Sequence, residues 1–532
     1  MASRWLRDVM MVMRLTRDFR SFYATPIIAK QAAETIKHQL VTRDERFLGM
    51  MERLIFRHPR SPYLQLLRAA GCELGDIRKL VTTKGVEGTL LQLCAAGVYI
   101  TFDEFKGRTD VVRGCQRFAF GEPDFDNPDV SGHIGTQTGG SRGPGTPLKL
   151  GLAFIADRAL ATALAYEAHG LNDYDGALWQ VSGIRPILQY TKAGKAPIAW
   201  FHPVRPLPLT SRSIMWYLWG LGTLFGYSVP RPVFLDLRDP GRMALWLARH
   251  AQEGKPICLT ANASSAVRVC AAAKTMGLVL HGVAFIVIGE PYTDARKRIV
   301  EDAGAYAVVG YGLNEAGTVG FGCREPRSPD DVHLFSNAYG LIQQSRRVGD
   351  STLSVDAFLM TSFLVSGPKV LLNVESGDYG VVEKRSCGCL FGELGLETHL
   401  RQIRSFEKLT TEGMTFAKTD LLRILEDVLP ARFGGASTDY QLVEETREGG
   451  LAQLVLIVSP RVGAVDEVMV QRTFFDELRH GGWSERLMAG MWERAGALIV
   501  RRQEPIMTKA GKILPFHVTR RPVLEPPARN PR

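Results

Sequence analysis

Short apolar runs alternate with helical patterns between residues 195 and 310, and this alternation restricts the possible folds more than any other feature of the chain. The apolar runs are PIAWFHPV, PVFLDL, PICLTA, LHGVAFIVIG and AYAVVGYG. In the segments between them, such as GRMALWLARHAQ and SAVRVCAAAKTMG, apolar residues recur at helical spacing. Strands that alternate with helices are typical of a largely parallel sheet covered by helices. The sequence therefore predicts an α/β fold here.

The patterns on either side predict how the 532 residues divide into domains, because a chain of this length is too long for one core. Residues 1–130 read as a mostly helical lead-in, and residues 352–385 read as strands. After residue 405 the pattern becomes α+β. We predict a large N-terminal α/β domain over 1–404, with mostly parallel sheets and a β-rich subregion. A hinge joins it to a small mobile α+β domain over 405–518, and a disordered tail covers 519–532.

Charge and cysteine usage disfavour a nucleic-acid partner and indicate the cytoplasm. The net charge of +10 is mild for 532 residues, and no run of five like charges occurs, which disfavours a nucleic-acid partner. Charges interrupt the N-terminal segment, so it does not read as a secretory signal. Six of the eight cysteines are scattered singly, which is not a disulfide framework and indicates a reducing compartment.

The most apolar stretch, residues 214–229, is shorter than a membrane-spanning helix and contains three glycines. We expect it to be a buried core segment and predict no transmembrane segment.

A glycine-rich stretch, SGHIGTQTGGSRGPGTPLK, precedes a predicted helix over residues 150–169. Glycines let backbone N–H groups approach an anion, and hydroxyl side chains add donors. The helix that follows would direct its positive end toward the bound charge. By itself this is a weak indication of phosphate binding. The loop also lacks the G-K-[ST] ending of a Walker loop, which disfavours a P-loop NTPase.

Four later segments place polar groups where α/β folds bind ligands. Gly289-Glu290-Pro291 and Tyr311-Gly312 each end a predicted strand, and both ends are expected at one sheet edge. Asn314 and Glu315 follow with an amide and a carboxylate. The remaining segments are ESGD, with Asp378 on a tight turn, IRS around Arg404, and PIMTKAGKI, with Lys512 beside a glycine turn.

Taken in order, these motifs resemble those of the adenylate-forming superfamily, most closely its phenylacetate-CoA ligase-like branch. TGGSRGPGTPLK is similar to that family's TSGSTG-x-PL/K phosphate loop, with Pro144-Gly145 inserted and Arg142 at a small-hydroxyl position. IGEP resembles GGEP, YGLNEAG resembles YG-x-TE-AG, and SGD resembles TGD. IRSFEKLTTEGMTF resembles the hinge motif and TKAGKI the terminal lysine loop, although Phe406 and Glu412 depart from the hinge pattern.

The resemblance implies a two-step reaction with ATP and Mg²⁺ as cofactors. A carboxylic acid attacks the α-phosphate to give an acyl-adenylate, and a thiol, usually coenzyme A, then takes the acyl group. Lys512 and Glu315 would be catalytic, with Glu315 also the Mg²⁺ ligand. Residues 405–408 would form the hinge, namely Ser405, Phe406, Glu407 and Lys408. Contacts to ATP or AMP would come from Thr138, Gly140, Ser141, Arg142, Gly143, Gly289, Glu290, Pro291, Tyr311, Gly312, Asn314, Asp378 and Arg404.

Two alternatives to a CoA ligase remain open. The acyl group could pass to a carrier-protein phosphopantetheine, a protein thiol or an amine, since the hinge motif departs from the family pattern. The chain could also be a pseudo-enzyme that binds nucleotide without turnover, which the hinge and Arg142 motivate. The aromatic residues Trp200, Phe201, Trp216, Trp219 and Phe225 are compatible with an aromatic or long-chain acid, yet such residues are more often core.

A separate set of soft ligands is formed by Cys323, His333, Cys387 and Cys389. Four such ligands are what a tetrahedral structural Zn²⁺ requires, although Cys-x-Cys is tighter than the usual C-x₂-C. Cys and His residues occur in matching places in the branch that the chain resembles. We expect a structural zinc site, with free structural thiols as the alternative.

Overall fold

The structure is a computed structural model that describes residues 2–130, 134–137, 147–181, 183–203, 209–347, 354–405, 410–411, 414–415, 421–446, 452–480, 489, 493, 498–508 and 511–519. The chain forms two compact units. The first comprises residues 1–346, 356–404 and 509–512, and the second comprises residues 347–355, 405–508 and 513–532.

The N-terminal part is mostly helical. Its helices are α1 (Ala2–Ala24), α2 (Ala29–Val41), α3 (Arg43–Met50), α4 (Pro62–Ala69), α5 (Leu74–Ala95) and α6 (Phe102–Phe105), with α3 continuing as a π-helix over Met51–Phe56. Two short antiparallel pairs follow, β1 (Val111–Arg113) with β2 (Gln116–Phe118), and β3 (Ile134–Gln137) with β4 (Pro147–Leu150).

The middle of the chain alternates between strands and helices. The elements are α7 (Leu152–Ala168), β5 (Asp175–Trp179), α8 (Ile184–Lys192), β6 (Pro197–His202), α9 (Leu209–Phe225), β7 (Pro232–Phe234), α10 (Pro240–Gln252), β8 (Ile257–Asn262), α11 (Ala263–Thr275), β9 (Val283–Ile288), α12 (Asp294–Asp302) and β10 (Tyr306–Leu313). Local chemistry helps to set helix starts: Pro240 occupies the first turn of α10, and the Asp239 and Thr293 side chains accept hydrogen bonds from the first turns of α10 and α12.

Strands dominate the rest of the first part of the chain. They are β11 (Gly317–Phe321), β12 (Val332–Leu334), β13 (Tyr339–Arg347), β14 (Ser354–Ser362), β15 (Val374–Lys384) and β16 (Thr398–Ser405), with the short helix α13 (Leu390–Glu393) before β16.

These strands join one twelve-stranded sheet in the order β13-β14-β15-β16-β12-β11-β10-β9-β8-β5-β6-β7. The half from β10 to β7 is parallel, whereas β10 with β11, β11 with β12, β12 with β16 and β14 with β15 are antiparallel. Every residue of β8 is buried, as expected for a central parallel strand covered on both faces.

The second unit contains β17 (Thr410–Thr411), β18 (Met414–Thr415), α14 (Leu421–Arg423), a π-helix over Ile424–Val428, α15 (Leu429–Phe433), β19 (Tyr440–Thr446), β20 (Ala452–Val458), α16 (Glu467–His480), β21 (Leu498–Arg502) and β22 (Phe516–Thr519). Its four-stranded sheet has the order β21-β20-β19-β22, and its core includes Phe474 and Leu478 of α16 packed with Leu442 and Leu456. The predicted fold class, an α/β part with mostly parallel strands and a β-rich subregion followed by a small α+β part, is confirmed.

The expectation for the apolar stretch at residues 214–229 is wrong in part. Most of it belongs to α9, and Leu218 and Leu221 are buried, but Trp216 is 61% exposed and Leu224 is 74% exposed. A helix that packs one side leaves its other side outward, and here both sides happen to be apolar. In the part of the chain that the structure describes, no helix has the length and hydropathy needed to cross a bilayer. The cytoplasmic location stays a prediction.

Candidate active site

The predicted phosphate loop connects β3 to β4. These strands pair in register, Ile134 with Leu150 and Gln137 with Pro147, and α7 begins two residues after β4 ends. The residues predicted to bind phosphate lie between the two strands, outside the described residues: Thr138, Gly140, Ser141, Arg142 and Gly143. Their roles therefore stay predictions.

The ends of β8, β9 and β10 lie side by side. In the parallel register Asn262, the last residue of β8, pairs with Ile288, the last residue of β9, and Ile288 pairs with Gly310. Gly289 and Tyr311 each follow directly along their own strands. The carboxyl ends of parallel strands are where α/β folds bind ligands, so Asn262 and the predicted Gly289 and Tyr311 share one such edge.

The turn after β9 is held by a buried ion pair. Gly289 has φ +77°, a conformation that favours glycine. The Glu290 carboxylate accepts hydrogen bonds from the Ser264 N–H at 2.6 Å and from Ser264 Oγ at 2.9 Å, and lies 3.2 Å from Arg296 Nη1. Arg296 Nη1 also donates to the Pro291 carbonyl at 3.0 Å. The Glu290 side chain thus positions the turn, and the Pro291 carbonyl is bound to the same arginine.

Lys512 lies next to Gly289 within the first unit, to which residues 509–512 belong. A Cβ added to Gly289 would come within 2.7 Å of Lys512 Nζ and 3.8 Å of Asn262 Oδ1. A Cβ added to Gly511, whose φ is +76°, would come within 2.4 Å of Leu237 Cδ1. Only glycine fits at either position while the ammonium keeps its place at the strand edge.

Two predicted nucleotide-binding residues meet directly. The Tyr311 hydroxyl donates a 3.0 Å hydrogen bond to Asp378 Oδ2, and burial, together with the neighbouring Asp378 charge, raises the pKa of Tyr311 well above its ordinary value. Gly377, with φ +80°, makes the turn that presents Asp378, and the Asp378 N–H donates to Ser376 Oγ at 3.2 Å. The carboxylate is therefore fixed beside the end of β10.

Asn314 and Glu315 lie in the tight connection between β10 and β11. A Cβ on Gly312 would come within 2.5 Å of the Gly317 carbonyl oxygen, which explains why this predicted position is glycine. Arg185 Nη1 donates to Asn314 Oδ1 at 2.7 Å, and Lys106 Nζ lies 2.9 Å from Glu315 Oε1. The carboxylate predicted to bind Mg²⁺ thus has a lysine as its partner.

Arg404 is paired away from the strand edge. Its Nη1 lies 2.6 Å from Asp330 Oδ2, and Asp330 Oδ1 accepts from the Gln402 N–H at 3.0 Å. Ser405 is the last residue of β16, and the boundary between the two units falls between Arg404 and Ser405. The other predicted hinge residues, Phe406, Glu407 and Lys408, lie outside the described residues.

The four predicted zinc ligands come together in the first unit. The ligand atoms of Cys323, His333, Cys387 and Cys389 all lie within 4.8 Å of one another, and His333 Nε2 is 3.5 Å from Cys387 Sγ and 3.3 Å from Cys389 Sγ. His333 Nδ1 is 2.6 Å from the Leu396 carbonyl oxygen. That carbonyl accepts a hydrogen bond from Nδ1–H, which leaves Nε2 unprotonated and directed at the sulfurs. Three thiols and an imidazole nitrogen in this geometry fit a tetrahedral ion.

Three residues at the site were not predicted from the sequence. Asn262 carries a usable signal, because it ends a predicted parallel strand. Lys106 and Arg185 carry none, since they are 209 and 129 residues from the partners that they contact.

No protein-family model matches the chain, and no curated protein matches it. Among solved structures it is similar to 2-hydroxyisobutyryl-CoA ligase in complex with 2-HIB-AMP and CoA, with a TM-score of 0.45 and 16% identity over 90% of each chain. It is also similar to ATP-bound MatB from Rhodopseudomonas palustris (TM-score 0.41, 12% identity, 74% of this chain and 68% of that one). A third is the amide bond synthetase McbA from Marinactinospora thermotolerans (TM-score 0.40, 12% identity, 92% and 98%).

Similarities of this size assign neither substrate nor mechanism, and the function proposed below rests on the residues of this chain.

Proposed function

We propose that this protein is an ATP-dependent carboxylate-activating enzyme that forms an acyl-adenylate and transfers the acyl group to a thiol, coenzyme A. The observation that supports it most is the position of Lys512 at the strand edge beside Gly289 and Asn262. The resemblance gives the last motif, TKAGKI, a catalytic lysine, and Lys512 of that motif lies at the edge where parallel sheets bind ligands. Tyr311, Asp378 and Glu315 belong to the same strand ends or to turns beside them.

Each proposed role follows from charge. The Lys512 ammonium would neutralise charge as the acid oxygen attacks the α-phosphate and pyrophosphate leaves. Positioned positive charge lowers the barrier of such a transfer because little covalent work falls to the protein. Asp378, fixed by Tyr311, would accept hydrogen bonds from the ribose hydroxyls. Glu315 would supply a carboxylate oxygen to hold Mg²⁺, which when bound would neutralise part of the phosphate charge.

The test is pyrophosphate release with ATP, Mg²⁺ and a panel of carboxylic acids. Lys512→Ala should lower the rate by about 10²–10³-fold, the usual loss when one preorganised charge or donor is removed. Lys274→Ala is the matched control, since that side chain is 72% exposed on α11 and pairs only loosely with Asp302 at 3.5 Å. Absence of pyrophosphate with every acid, together with retained ATP binding, would support a nucleotide-binding pseudo-enzyme.

The acceptor is tested by adding coenzyme A, a phosphopantetheinylated carrier protein or a simple amine to the adenylating reaction. Mass spectrometry then shows which acceptor gains the acyl group. Coenzyme A is the expected acceptor. Acylation of the carrier or the amine alone would replace the thiol-ligase assignment while leaving adenylation intact.

We further propose that Cys323, His333, Cys387 and Cys389 bind a structural Zn²⁺. Four protein ligands fill a tetrahedral shell and leave no position for substrate, so the ion would stabilise the fold. Metal analysis of purified protein should find about one zinc per chain. Cys387→Ser should lose the zinc and lower the melting temperature, whereas Cys115→Ser, at an exposed cysteine, should change neither. If the wild type is purified without zinc and adding zinc does not raise its melting temperature, the assignment is contradicted.

A further inference from the structure

Among the described residues, two arginines next to the β10–β11 connection have no acidic partner. Arg158 is on α7 and Arg185 is in the first turn of α8, and both side chains are partly exposed. Arg158 Nη1 and Arg185 Nε are buried, and neither atom has a hydrogen-bond partner among the residues that the structure describes. A buried donor without a partner is costly, and a water molecule or a bound anion would remove that cost.

Neutral amides hold both guanidinium groups in place. Arg158 Nε donates to Gln189 Oε1 at 2.8 Å, and Gln189 is itself fixed by donating to Thr162 Oγ1 at 2.8 Å. Arg185 Nη1 donates to Asn314 Oδ1 at 2.7 Å. An amide oxygen orients a guanidinium but leaves its charge uncompensated.

Two carboxylates adjacent in sequence to Arg158 and to Asn314 are engaged elsewhere. Asp157, the neighbour of Arg158 in sequence, accepts from Ser366 Oγ and interacts with the charge of Arg46. Glu315 is paired with Lys106 at 2.9 Å.

The two cations also lie close enough to act on each other. Burial, and next to it the charge of Arg185, lowers the pKa of Arg158 to about 9, and burial lowers that of Arg185. Both approach the same connection: Arg185 contacts Asn314, and a Cβ on Gly317 would come within 3.2 Å of Arg158 Nη1. Two positive charges next to the β10–β11 connection would attract an anion to it.

Building on the proposed function, we propose that Arg158 and Arg185 bind a second carboxylate of the acid substrate, so that the enzyme activates dicarboxylic acids. One carboxylate would react with ATP at the strand edge beside Lys512, and the other would pair with the guanidinium groups. Such a pair is charge-assisted and uses the donors that the protein leaves unused.

Binding is tested first, without turnover, by calorimetry with straight-chain dicarboxylates and monocarboxylates of the same chain length. The dicarboxylate should bind at least about tenfold more tightly, and Arg158→Met or Arg185→Met should remove at least about tenfold of that preference. Arg242→Met, at a side chain 70% exposed on α10, is the control and should retain the preference. Equal binding of matched acids, including no binding of either, overturns the proposal.

Two further measurements distinguish a carboxylate site from a nucleotide site and from a structural role. If the arginines instead serve the nucleotide, the variants will weaken binding of ATP or inorganic phosphate and leave the dicarboxylate preference intact, which also overturns the proposal. If their role is structural, the variants will melt earlier without ligand. The proposal expects an unchanged or higher melting temperature, because an uncompensated cation is removed.

Pyrophosphate release completes the test. Dicarboxylates should give a higher kcat/KM than matched monocarboxylates, and Lys512→Ala should lower release by about 10²–10³-fold while keeping the preference for dicarboxylates in binding. Arginine-dependent dicarboxylate binding without pyrophosphate release by the wild type would leave the anion site standing and refute the adenylating function. Pyrophosphate release that favours monocarboxylates would refute the anion site and leave the adenylating function standing.

Discussion

Replacing Arg296 by methionine should destabilise the first unit through the carboxylate that it leaves behind. The side chains of Arg296 and Glu290 are 1% and 0% exposed, and Glu290 Oε2 is 3.2 Å from Arg296 Nη1. Removing one member of a buried ion pair costs about 3–5 kcal/mol because the other charge stays buried. Here Glu290 keeps two donors, the Ser264 N–H and Oγ, which places the expected loss near the lower end, about 3 kcal/mol.

The assay is urea unfolding combined with peptide-resolved hydrogen exchange over α11 and α12. With a slope of about 3 kcal/mol per M, the loss corresponds to a midpoint shift of about 1 M. Lys297→Met is the control on the same helix, since that lysine is 43% exposed and its pair with Glu301 is a surface one. It should change stability by less than about 0.5 kcal/mol.

The double variant Glu290→Gln/Arg296→Met decides whether the reasoning is right. A neutral amide can keep the Ser264 contacts without a buried charge, so the double variant should regain at least half of the loss. If it is no more stable than Arg296→Met alone, the cost comes from lost packing of the arginine stem and the electrostatic explanation is refuted.

Two other predictions concern charged pairs. The Lys106 ammonium lies 2.9 Å from the Glu315 carboxylate that we propose as the Mg²⁺ ligand, so Lys106→Met should lower by several-fold the Mg²⁺ concentration that half-saturates pyrophosphate release. An unchanged value would contradict the proposed ligand. In the second unit, a hydrogen bond from Arg501 lowers the pKa of Glu445. That stabilisation is present above the ordinary glutamate pKa and is lost as pH falls through the lowered one. Glu445→Gln should therefore lower the free energy of unfolding at neutral pH by no more than about 1 kcal/mol for so exposed a pair, seen as a lower melting temperature, and should match the wild type in acid. A difference that does not depend on pH would count against this explanation.

The sequence could predict the parts of the fold that depend on local pattern. The β8 and β9 runs are apolar because both faces of these central parallel strands are buried, and polar residues follow where the strands end at the ligand-binding edge. The apolar stretch within α9 shows the limit. Hydrophobicity alone does not state which side of a helix packs, and Trp216 and Leu224 face outward.

The charge partners of the candidate site could not be predicted in the same way. Lys106 and Arg185 reach Glu315 and Asn314 only after the chain has folded, and no spacing in the sequence records a contact over 209 or 129 residues. The cysteine and histidine set was easier to predict, because its four members, three thiols and one imidazole, match the number of ligands of one tetrahedral ion. Residue type predicts a site when several ligands of one kind must surround the same ion. It does not predict a single charge pair between distant parts of the chain.

The distribution of these pairs also bears on which residues bind ligand. Glu290, Glu315 and Arg404 each have an oppositely charged protein partner, so their charges are largely balanced before any substrate arrives. Arg158 and Arg185 are held by amide oxygens instead, which fix direction without neutralising charge. A folded protein tolerates that arrangement at a cost in stability, and a bound anion would remove the cost. Under the proposal above, this difference in binding favours an acid that carries a second carboxylate over one that does not. Substitutions at Arg158 and Arg185 should therefore change acid specificity first.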